Sequence, residues 1–443
     1  MTQPFENIHR RRIASPNQQF LFSGADTTGE AHFEDKTPAI AVDELREKFP
    51  GLLVEDDFHR AALSFLAAAK TFGALMIRLD DAHYVINPTD VVAALSGVVE
   101  AFCKKAAGIW GILDHATVGC FFAGADEAAC LDLSKKIKQQ LAAKCDETLS
   151  TGIAVYPALA YAKDKILENA HKALDHAAFF GADSCVAFDA VSLNISGDKF
   201  YQAGDLEGAM NEYYLALTLD ENNANVHNSL GVCYGIKEDL ENALSEFQTA
   251  IRLAPEENMA VYNAGYVHFL KKEYPTALEY FQKAEQIDDT VFELAFQTGR
   301  IYQELNKLEK AQEYTEKATA LNPKSAAAFR LMGDIYTATD RISDAITAYK
   351  TALKLNPEDA EALSALGFLY EMQGKNADIA LMFCRQGTEM APENGLFRHR
   401  LGRLYLNRNL AEKALAEFQK ARELGYDADE YIDKTLKLIN ADL

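Results

Sequence analysis

Hydrophobic and polar positions in the first half of the chain follow two spacings. Between residues 46 and 190, short apolar runs typical of buried strands are separated by stretches whose apolar residues recur at helical spacing. The pattern predicts strands at 74–79, 109–113, 118–122, 148–156 and 185–188, and helices at 58–69, 91–103, 128–143 and 166–180. Asp114-His115-Ala116-Thr117, between the second and third strands, is a hairpin signal. An α/β domain with a β-α-β-β-α-β core is therefore expected.

From residue 191 the pattern changes to a repeat. A glycine recurs every 34 residues, and once after 35, at Gly197, Gly231, Gly265, Gly299, Gly333, Gly367 and Gly402. A bulky ring lies three residues after each glycine, an alanine lies twelve residues after it in six of the seven units, and an aromatic residue lies sixteen residues after it in most of them. One residue inserted between Lys375 and Asp378 explains the longer interval. A period of this length predicts stacked supersecondary units.

This pattern resembles the tetratricopeptide repeat (TPR). The resemblance implies an all-α TPR superhelical solenoid of seven units at residues 191–426, each a pair of antiparallel helices. Small residues allow the two helices to approach closely, and stacked neighbours form the core, because no single unit can bury its apolar face. Residues 427–443 carry Tyr431, Ile432 and Leu436 at helical spacing and are expected to form a capping helix.

The TPR resemblance also implies a concave groove, lined by the first helix of each unit, that binds a protein or peptide segment. Reading the family's groove positions gives the predicted partner-binding residues Asn228, Tyr262, Asn263, Tyr266, Phe269, Phe296, Arg300, Arg330 and Arg403. Tyrosine, phenylalanine and arginine are the residue types that anchor interfaces. The alternative for each ring is that it packs against the neighbouring repeat. The lysines with which chaperone-binding members hold a terminal carboxylate are missing here.

The first half resembles the GGDEF domain of diguanylate cyclases over roughly residues 50–189. The likeness rests on Thr148-Leu149-Ser150-Thr151-Gly152-Ile153-Ala154-Val155-Tyr156-Pro157, on the run from Ala74 to Asp80, and on Ala170, Ala173 and Leu174 in the later helix. The fold class expected for the whole chain is thus a GGDEF-like α/β domain at 46–190 followed by the TPR solenoid.

The GGDEF-like domain departs from the family where the chemistry should be. Cyclase activity needs carboxylates for Mg²⁺ and cations for the phosphates of GTP. The equivalent metal, hairpin and phosphate positions are Arg78, Ala116, Thr117, Ala178 and Ala182. The aspartate of the family's inhibitory cyclic di-GMP site, expected at 105–108, is also absent. The domain is therefore expected to have lost cyclase activity, so the chain is predicted to be no enzyme and to hold no metal or cofactor.

Composition and net charge limit the classes of partner that the chain is expected to bind. The chain carries 44 basic and 66 acidic residues, a net charge of −22, which argues against nucleic acid and against an anionic membrane surface. Seven dispersed cysteines without a C-x-x-C pair predict reduced thiols and neither a disulfide framework nor a zinc site. We expect no membrane insertion and, because polar residues follow Arg10, Arg11 and Arg12 instead of an apolar signal-peptide core, a cytoplasmic location.

Three functions remain open at this level. The first is a non-catalytic bacterial signalling or scaffold protein that binds a partner through the TPR groove. The second is a receptor for GTP or cyclic di-GMP that couples ligand binding to TPR interactions, and the third is an enzyme with new chemistry at Asp80, Asp114 and His115. Residues 1–45 are polar and read as a disordered arm or as a segment that packs through Phe20, Leu21 and Phe22. The sequence leaves self-association open.

Overall fold

The computed structural model describes residues 42–80, 88–374 and 376–441. Most of the predicted N-terminal extension, with Phe20, Leu21 and Phe22, lies outside the described residues. The chain divides into two compact units, Met1–Asn263 and Ala264–Leu443. The boundary predicted near residue 190 separates an α/β region from helical repeats, whereas the compact units separate inside the third repeat. We therefore describe each unit by itself.

The first unit begins with a six-stranded sheet. Its strands are β1 (Leu53–Val54), β2 (Phe72–Leu79), β3 (Gly108–Ile112), β4 (Thr117–Ala123), β5 (Leu149–Tyr156) and β6 (Cys185–Ala187). The order across the sheet is β1-β3-β4-β2-β5-β6. Strand β2 runs antiparallel to both β4 and β5, while the short edge strands β1 and β6 pair in parallel with β3 and β5. The predicted β-α-β-β-α-β core is confirmed by β2 to β5 with the helices between them.

Among the residues that the structure describes, five α-helices accompany the sheet. They are α1 (Val42–Lys48), α2 (Glu55–Leu66), α3 (Pro88–Lys105), α4 (Glu127–Ala142) and α5 (Ile166–Ala177). Helix α2 begins three residues earlier than predicted, because the carboxylates of its first turn favour the positive end of the helix dipole. Helix α5 ends three residues earlier than predicted and continues as a 3₁₀ turn, Ala178–Phe180. Strand β5 packs closely against α5 at Gly152, where a side chain has no room, since a Cβ there would lie 2.0 Å from the carbonyl oxygen of Ala170.

Both faces of the sheet are covered. Helices α3 and α4 pack on one face with a core that includes Leu95, Val99 and Ile137. Helices α2 and α5 pack on the other face around Phe58, Leu66 and Leu174. A strand that is buried on both faces reads as a near-continuous apolar run, which is the pattern seen in β2; β5 is also largely buried but includes Ser150 and Thr151.

Helix pairs follow the sheet, as the 34-residue period predicts. The first unit contains α6 (Ala190–Gln202), α7 (Leu206–Leu219), α8 (Ala224–Ile236) and α9 (Leu240–Leu253). The next pairs are α10 (Asn258–Leu270) with α11 (Tyr274–Ile287), α12 (Phe292–Glu304) with α13 (Leu308–Leu321), α14 (Ala326–Ala338) with α15 (Ile342–Leu355), α16 (Ala360–Met372) with α17 (Ala377–Met390), and α18 (Gly395–Leu406) with α19 (Ala411–Glu423). Helix α20 (Asp429–Ala441) ends the described chain and is the predicted capping helix.

The repeated glycines mark the contact inside each pair. A Cβ added at Gly231 would lie 2.5 Å from the ring of Phe247, and one added at Gly333 would lie 2.7 Å from the ring of Tyr349. The ring sixteen residues after the glycine thus occupies the space that the missing side chain leaves. In the fourth repeat, Thr315 takes the place of the ring and would meet a Cβ of Gly299 at 2.8 Å.

The sheet domain and the first repeat share a buried contact in the first unit. Lys172 on α5 donates to both carboxylate oxygens of Glu212 on α7 at 2.8 Å. Their side chains are only 7% and 9% exposed. Lys199 on α6 pairs with Asp175 on α5 at 2.9 Å. Side-chain ion pairs therefore join two regions that the sequence pattern separates.

Candidate functional site

The predicted groove residues of the first unit face one another. The amide Nδ2 of Asn263 donates to Oδ1 of Asn228 at 2.9 Å, a bond from the third repeat to the second. Both asparagines and Tyr262 are at most 2% exposed. Neighbouring helices therefore enclose the polar atoms and the ring of these three side chains, and their contact with a partner stays a prediction.

The predicted aromatic residues of the second unit are buried as well. Tyr266 is fully buried, and Phe269 and Phe296 are 9% and 5% exposed. This burial favours the alternative that the rings pack against neighbouring repeats, and their contact with a partner stays a prediction. The physical reason for the burial lies in α10, whose sequence is apolar nearly all round, as in a helix enclosed by packing on several sides.

Arg300 lies against this buried aromatic layer. The guanidinium carbon of Arg300 is 4.9 Å from the centroid of Phe269 and 5.9 Å from that of Phe296. Its Nη1 donates to Oε1 of Gln297 at 3.0 Å. No carboxylate of the described residues forms an ion pair with it, and the contacts given above are to an amide oxygen and two rings. Such a guanidinium retains donors for an incoming anion.

The other two predicted arginines are already paired. Nε of Arg330 lies 3.2 Å from Oδ2 of Asp359, and the same guanidinium contacts Glu361. Nη2 of Arg403 lies 3.2 Å from Oε1 of Glu371, whose side chain is 6% exposed. Each of these two cations is therefore paired with a carboxylate of a neighbouring repeat, and their role in partner binding stays a prediction.

Arg400 was missed by the sequence reasoning and has the contacts expected of a binding residue. Its Nη1 donates to Oγ of Ser364 at 3.1 Å, and its guanidinium carbon lies 5.1 Å from the centroid of Phe368. Arg403 approaches the same ring at 4.9 Å. Burial lowers the pKa of Arg400 relative to an exposed guanidinium. The available signal was its position two residues before Gly402, the position that Asn263 holds before Gly265.

A neighbouring carboxylate moderates this positive region. The hydroxyl of Tyr349 donates to Oδ1 of Asp334 at 2.6 Å. Burial raises the pKa of Asp334 above its usual range, although the Tyr349 hydroxyl, Arg330 and Arg400 favour its charged form. The inner helices of the fifth to seventh repeats thus hold a compact set of charged groups, of which Arg400 lacks a directly paired carboxylate among the described residues.

The positions that would carry cyclase chemistry form ordinary structural contacts. Asp80 follows β2, and its carboxylate accepts from Oγ1 of Thr148 at 2.7 Å, from Oγ of Ser150 at 2.5 Å and from the backbone N–H of Asp183 at 2.8 Å. Asp114 accepts from the N–H of Ala116 at 2.8 Å, as in a turn that an aspartate closes locally. The described residues contain no group of three or more His, Cys, Asp or Glu side chains placed to hold a metal ion.

A cavity of about 630 Å³ lies beside the edge strand β6. Its lining is formed by Glu127, His176, Phe180 and residues 184–189. We call it the β6 cleft. It contains two carboxylates and, among its lining residues, no lysine or arginine, so its charge does not suit a phosphate. Within the described residues, no helix combines the length and apolar character needed to cross a bilayer.

Solved structures with similar helical repeats include a chain of the APC/C hetero-tetramer Cut9–Hcn1, with 15% identity, a TM-score of 0.46 and coverage of 56% of this chain and 53% of that one. The chain therefore spans about half the length of that structure. YrrB, described as a TPR protein with an unusual peptide-binding site, shows 21% identity, a TM-score of 0.37 and coverage of 42% and 96%. PilF of Pseudomonas aeruginosa shows 21% identity, a TM-score of 0.44 and coverage of 47% and 95%.

No curated protein matches the chain. The sequence model of one family does, over residues 135–436, which include helix α5, strand β6 and all seven repeats. The family is described as the cilia and flagella-associated protein 70 C-terminal domain, and its short designation marks it as a TPR domain. The match covers more than half of the chain and agrees with the helix pairs described above. The chain belongs to this family of TPR proteins.

Proposed function

We propose that this protein is a non-catalytic interaction scaffold whose second unit binds an acidic segment of a partner protein. The observation that carries the proposal is that neither Arg300 nor Arg400 forms an ion pair with a carboxylate of the described residues. Both lie on first helices of their repeats, both lie against aromatic faces, and their hydrogen-bond partners are neutral. The TPR fold supports a protein or peptide as the partner.

The charges of these arginines explain why an acidic segment is favoured. A guanidinium presents five N–H donors and binds carboxylates in a two-pronged geometry. Arg330 and Arg403 are held by Asp359 and Glu371, which leaves Arg300, a predicted groove residue, and Arg400, found only in the structure, without a paired carboxylate among the described residues. A partner that supplies a carboxylate to either one adds a charge-assisted hydrogen bond at a half-buried site, where screening is weaker than at the surface.

The test uses the full-length chain as bait for proteins from its source cells, with identification by mass spectrometry. Arg300→Gln and Arg400→Gln are expected to lower capture of the specific partner about tenfold or more, since charged hydrogen bonds at interfaces are worth about 2 kcal/mol or more. Lys324→Gln, an exposed loop position, makes the same charge change and serves as control. Equal capture by all four proteins would refute the proposal.

We further propose that the α/β domain derives from a GGDEF-like cyclase and is catalytically silent. The strand order, Arg78 at the first metal position and the engagement of Asp80 by Thr148, Ser150 and Asp183 support this origin and this loss. A bacterial signalling role and a cytoplasmic location are part of the same proposal. Purified protein incubated with GTP and Mg²⁺ is expected to give no cyclic di-GMP; product formation would contradict the proposal.

The alternative, a nucleotide receptor, has weaker support. A phosphate site needs converging donors or cations, and the β6 cleft instead presents Glu127 and Asp189. Calorimetry of the full-length chain against GTP and cyclic di-GMP is expected to show no binding heat. Saturable heat with either nucleotide would favour the receptor function over the scaffold alone.

A further inference from the structure

The β6 cleft has an open strand edge. The backbone oxygen of Ser184 accepts from the N–H of Thr151, and the N–H of Phe188 donates to the oxygen of Ile153. Because hydrogen-bonding directions alternate along a strand, residues 184, 186 and 188 face β5, and Cys185 and Ala187 turn their N–H and C=O groups to the other side. Strand β6 ends the sheet order, so no strand of the described chain pairs with it there.

The cleft extends beyond this strand. A second, smaller cavity of about 100 Å³ shares Glu127, Ala187 and Phe188 with it and reaches Leu219 at the end of α7. The 3₁₀ turn after α5 places Phe179 and Phe180 at 59% and 69% exposure, and Phe180 lines the cleft. Two large rings so exposed, next to an unpaired strand edge, are unusual on a surface that touches only water.

The two sides of the cleft differ in chemistry. Cys185 and Ala187 pack toward the core under α4, the helix whose first residue is Glu127. On the α5 side the cleft is bordered by His176 and the ring of Phe180, which lie 5.4 Å apart. Side chains of an added strand would alternate between these sides. Basic side chains would reach Glu127 on one side, and apolar side chains would cover Phe180 on the other.

We propose that the β6 cleft binds an extended peptide segment in which lysine or arginine alternates with apolar residues, by addition of a strand to β6. Charge complementarity identifies the occupant, since Glu127 on the α4 side of the cleft has no lysine or arginine partner among the described residues, whereas Asp189 on the α5 side already accepts from Ser192 and contacts His176 at 3.3 Å. Backbone hydrogen bonds to Cys185 and Ala187 supply affinity, and the alternating side chains supply selectivity.

A second copy of this chain is a poorer occupant of the same edge. Pairing two β6 strands would place the carboxylates around each cleft, Glu127, Asp183 and Asp189, opposite their own copies. Asp183 is partly neutralised by Lys138, at 3.1 Å, but Glu127 and Asp189 have no lysine or arginine partner among the described residues. Like charges brought together at an interface oppose association.

The test measures binding of a labelled peptide of four Lys-Val pairs to the full-length chain by fluorescence anisotropy. Phe180→Ala and Glu127→Lys are each expected to weaken binding about tenfold. Leu63→Ala truncates an exposed apolar side chain on α2, and Glu44→Lys makes the same charge reversal at an exposed position on α1. Both are expected to leave peptide binding unchanged. Ala187→Pro removes one outward N–H from an edge strand, where proline is tolerated, and is expected to abolish binding.

Two control peptides separate strand addition from simple charge attraction. Four lysines followed by four valines have the same composition, and four Glu-Val pairs have the opposite charge; both are expected to bind at least tenfold more weakly. Arg300→Gln and Arg400→Gln are expected to leave the Lys-Val peptide unaffected, which distinguishes this site from the groove. The proposal would be overturned if the Lys-Val peptide did not bind, if the block peptide bound equally well, or if the cleft variants bound as the wild type does. It would also be overturned if the chain formed a dimer that the Ala187→Pro substitution abolished.

Discussion

At the scale of single residues, the ion pair of Lys172 and Glu212 fixes the position of α7 against α5. Both side chains are buried between α5 and α7, and each satisfies the other with two hydrogen bonds of 2.8 Å. Removing two charges from water is costly, so such a pair contributes little relative to apolar residues of the same size. Its value lies in specifying one arrangement, because any shift of α7 along α5 would leave a charge buried and alone.

Breaking this pair on one side should destabilise the first unit strongly. Lys172→Met is expected to lower the free energy of unfolding by about 3 kcal/mol, because Glu212 remains buried without its partner. Lys172→Met combined with Glu212→Leu should recover most of that loss. Chemical denaturation followed by circular dichroism measures both. Lys136→Met, in an exposed pair with Asp132, should cost less than about 0.5 kcal/mol, and an equal cost for both single changes would contradict this account.

His399 makes the second unit sensitive to acid. Burial, followed by the charges of Arg403 and Arg400, lowers its pKa to about 4, whereas Asp427 acts in the opposite direction. The unfolded chain therefore binds a proton that the folded chain does not, and stability should fall as the pH decreases from about 6.5 to about 4. Between pH 7 and pH 5 the contribution amounts to about 2 kcal/mol.

Thermal unfolding of the full-length chain at pH 7 and pH 5 checks this prediction. His399→Gln, a neutral side chain of similar size, is expected to reduce the decrease in stability between the two pH values. His59→Gln alters an exposed histidine on α2 and should leave the decrease as in the wild type. A decrease of the same size in the His399→Gln variant would show that the pH dependence arises elsewhere.

Residue types were easier to predict than residue exposure. The TPR resemblance implied groove positions at Arg300, Tyr266 and Phe296, but it gave no measure of how tightly α10 and α12 pack. Tyr266 is buried in a helix that is apolar on nearly every side, and Phe296 lies on the buried face of the amphipathic helix α12. Arg400 was missed because its position, two residues before the glycine, holds a small or apolar residue in some repeats and a polar one in others.

At the scale of secondary-structure elements, the glycine of each repeat sets the distance between two helices. Gly333 allows α14 to approach α15 until the ring of Tyr349 fills the space. The period predicted this contact because the ring and the glycine keep a fixed spacing, and both belong to one hairpin. Contacts between elements distant in the sequence, such as those of Asp80 with Thr148 and Asp183, leave no periodic signal and appear only in the folded chain.

Two helical glycines should respond to alanine with opposite signs. Gly333→Ala places a Cβ 2.7 Å from the Tyr349 ring and is expected to destabilise the protein by about 1–3 kcal/mol through overpacking. Gly97→Ala on α3 meets its nearest atom at 3.7 Å and should stabilise by about 0.5–1 kcal/mol, since alanine favours helix. Urea denaturation of both variants compares them directly, and a stabilised Gly333→Ala would contradict the role given to this glycine.

At the scale of the whole molecule, charge is unevenly divided. Residues 1–190 contain 18 basic and 26 acidic side chains, and residues 191–443 contain 26 and 40. The composition of the repeat region is therefore acidic, yet the guanidinium groups of Arg300 and Arg400 place positive charge at two positions within it. The α/β and repeat regions were both predictable from hydrophobic spacing, whereas the compact division after Asn263 was not, because the period treats the third repeat as one unit.

Removing the sheet domain should loosen the first repeat. In a fragment of residues 189–443, α6 and α7 lose their contacts with α5, and hydrogen exchange of their backbone amides is expected to accelerate at least tenfold over the full-length chain. Amides of α18 and α19, near the other end of the array, serve as the internal reference and should be unchanged. Equal protection of α6 and α7 in both proteins would show that the first repeat is stable alone.

The helices that cover the two ends of the repeat array affect whether further repeats can stack on it. A terminal repeat with a bare apolar face invites the end of another molecule to stack on it, and arrays of this kind then lengthen into fibres. Here α5 packs on the first repeat and α20 on the last, with Ile432 in the core of the closing pair. End-to-end growth would have to strip one of these helices away at every junction. Covering both terminal faces in this way is expected to oppose end-to-end stacking of separate chains, so that the order of the repeats is set by the sequence of one chain and not by protein concentration.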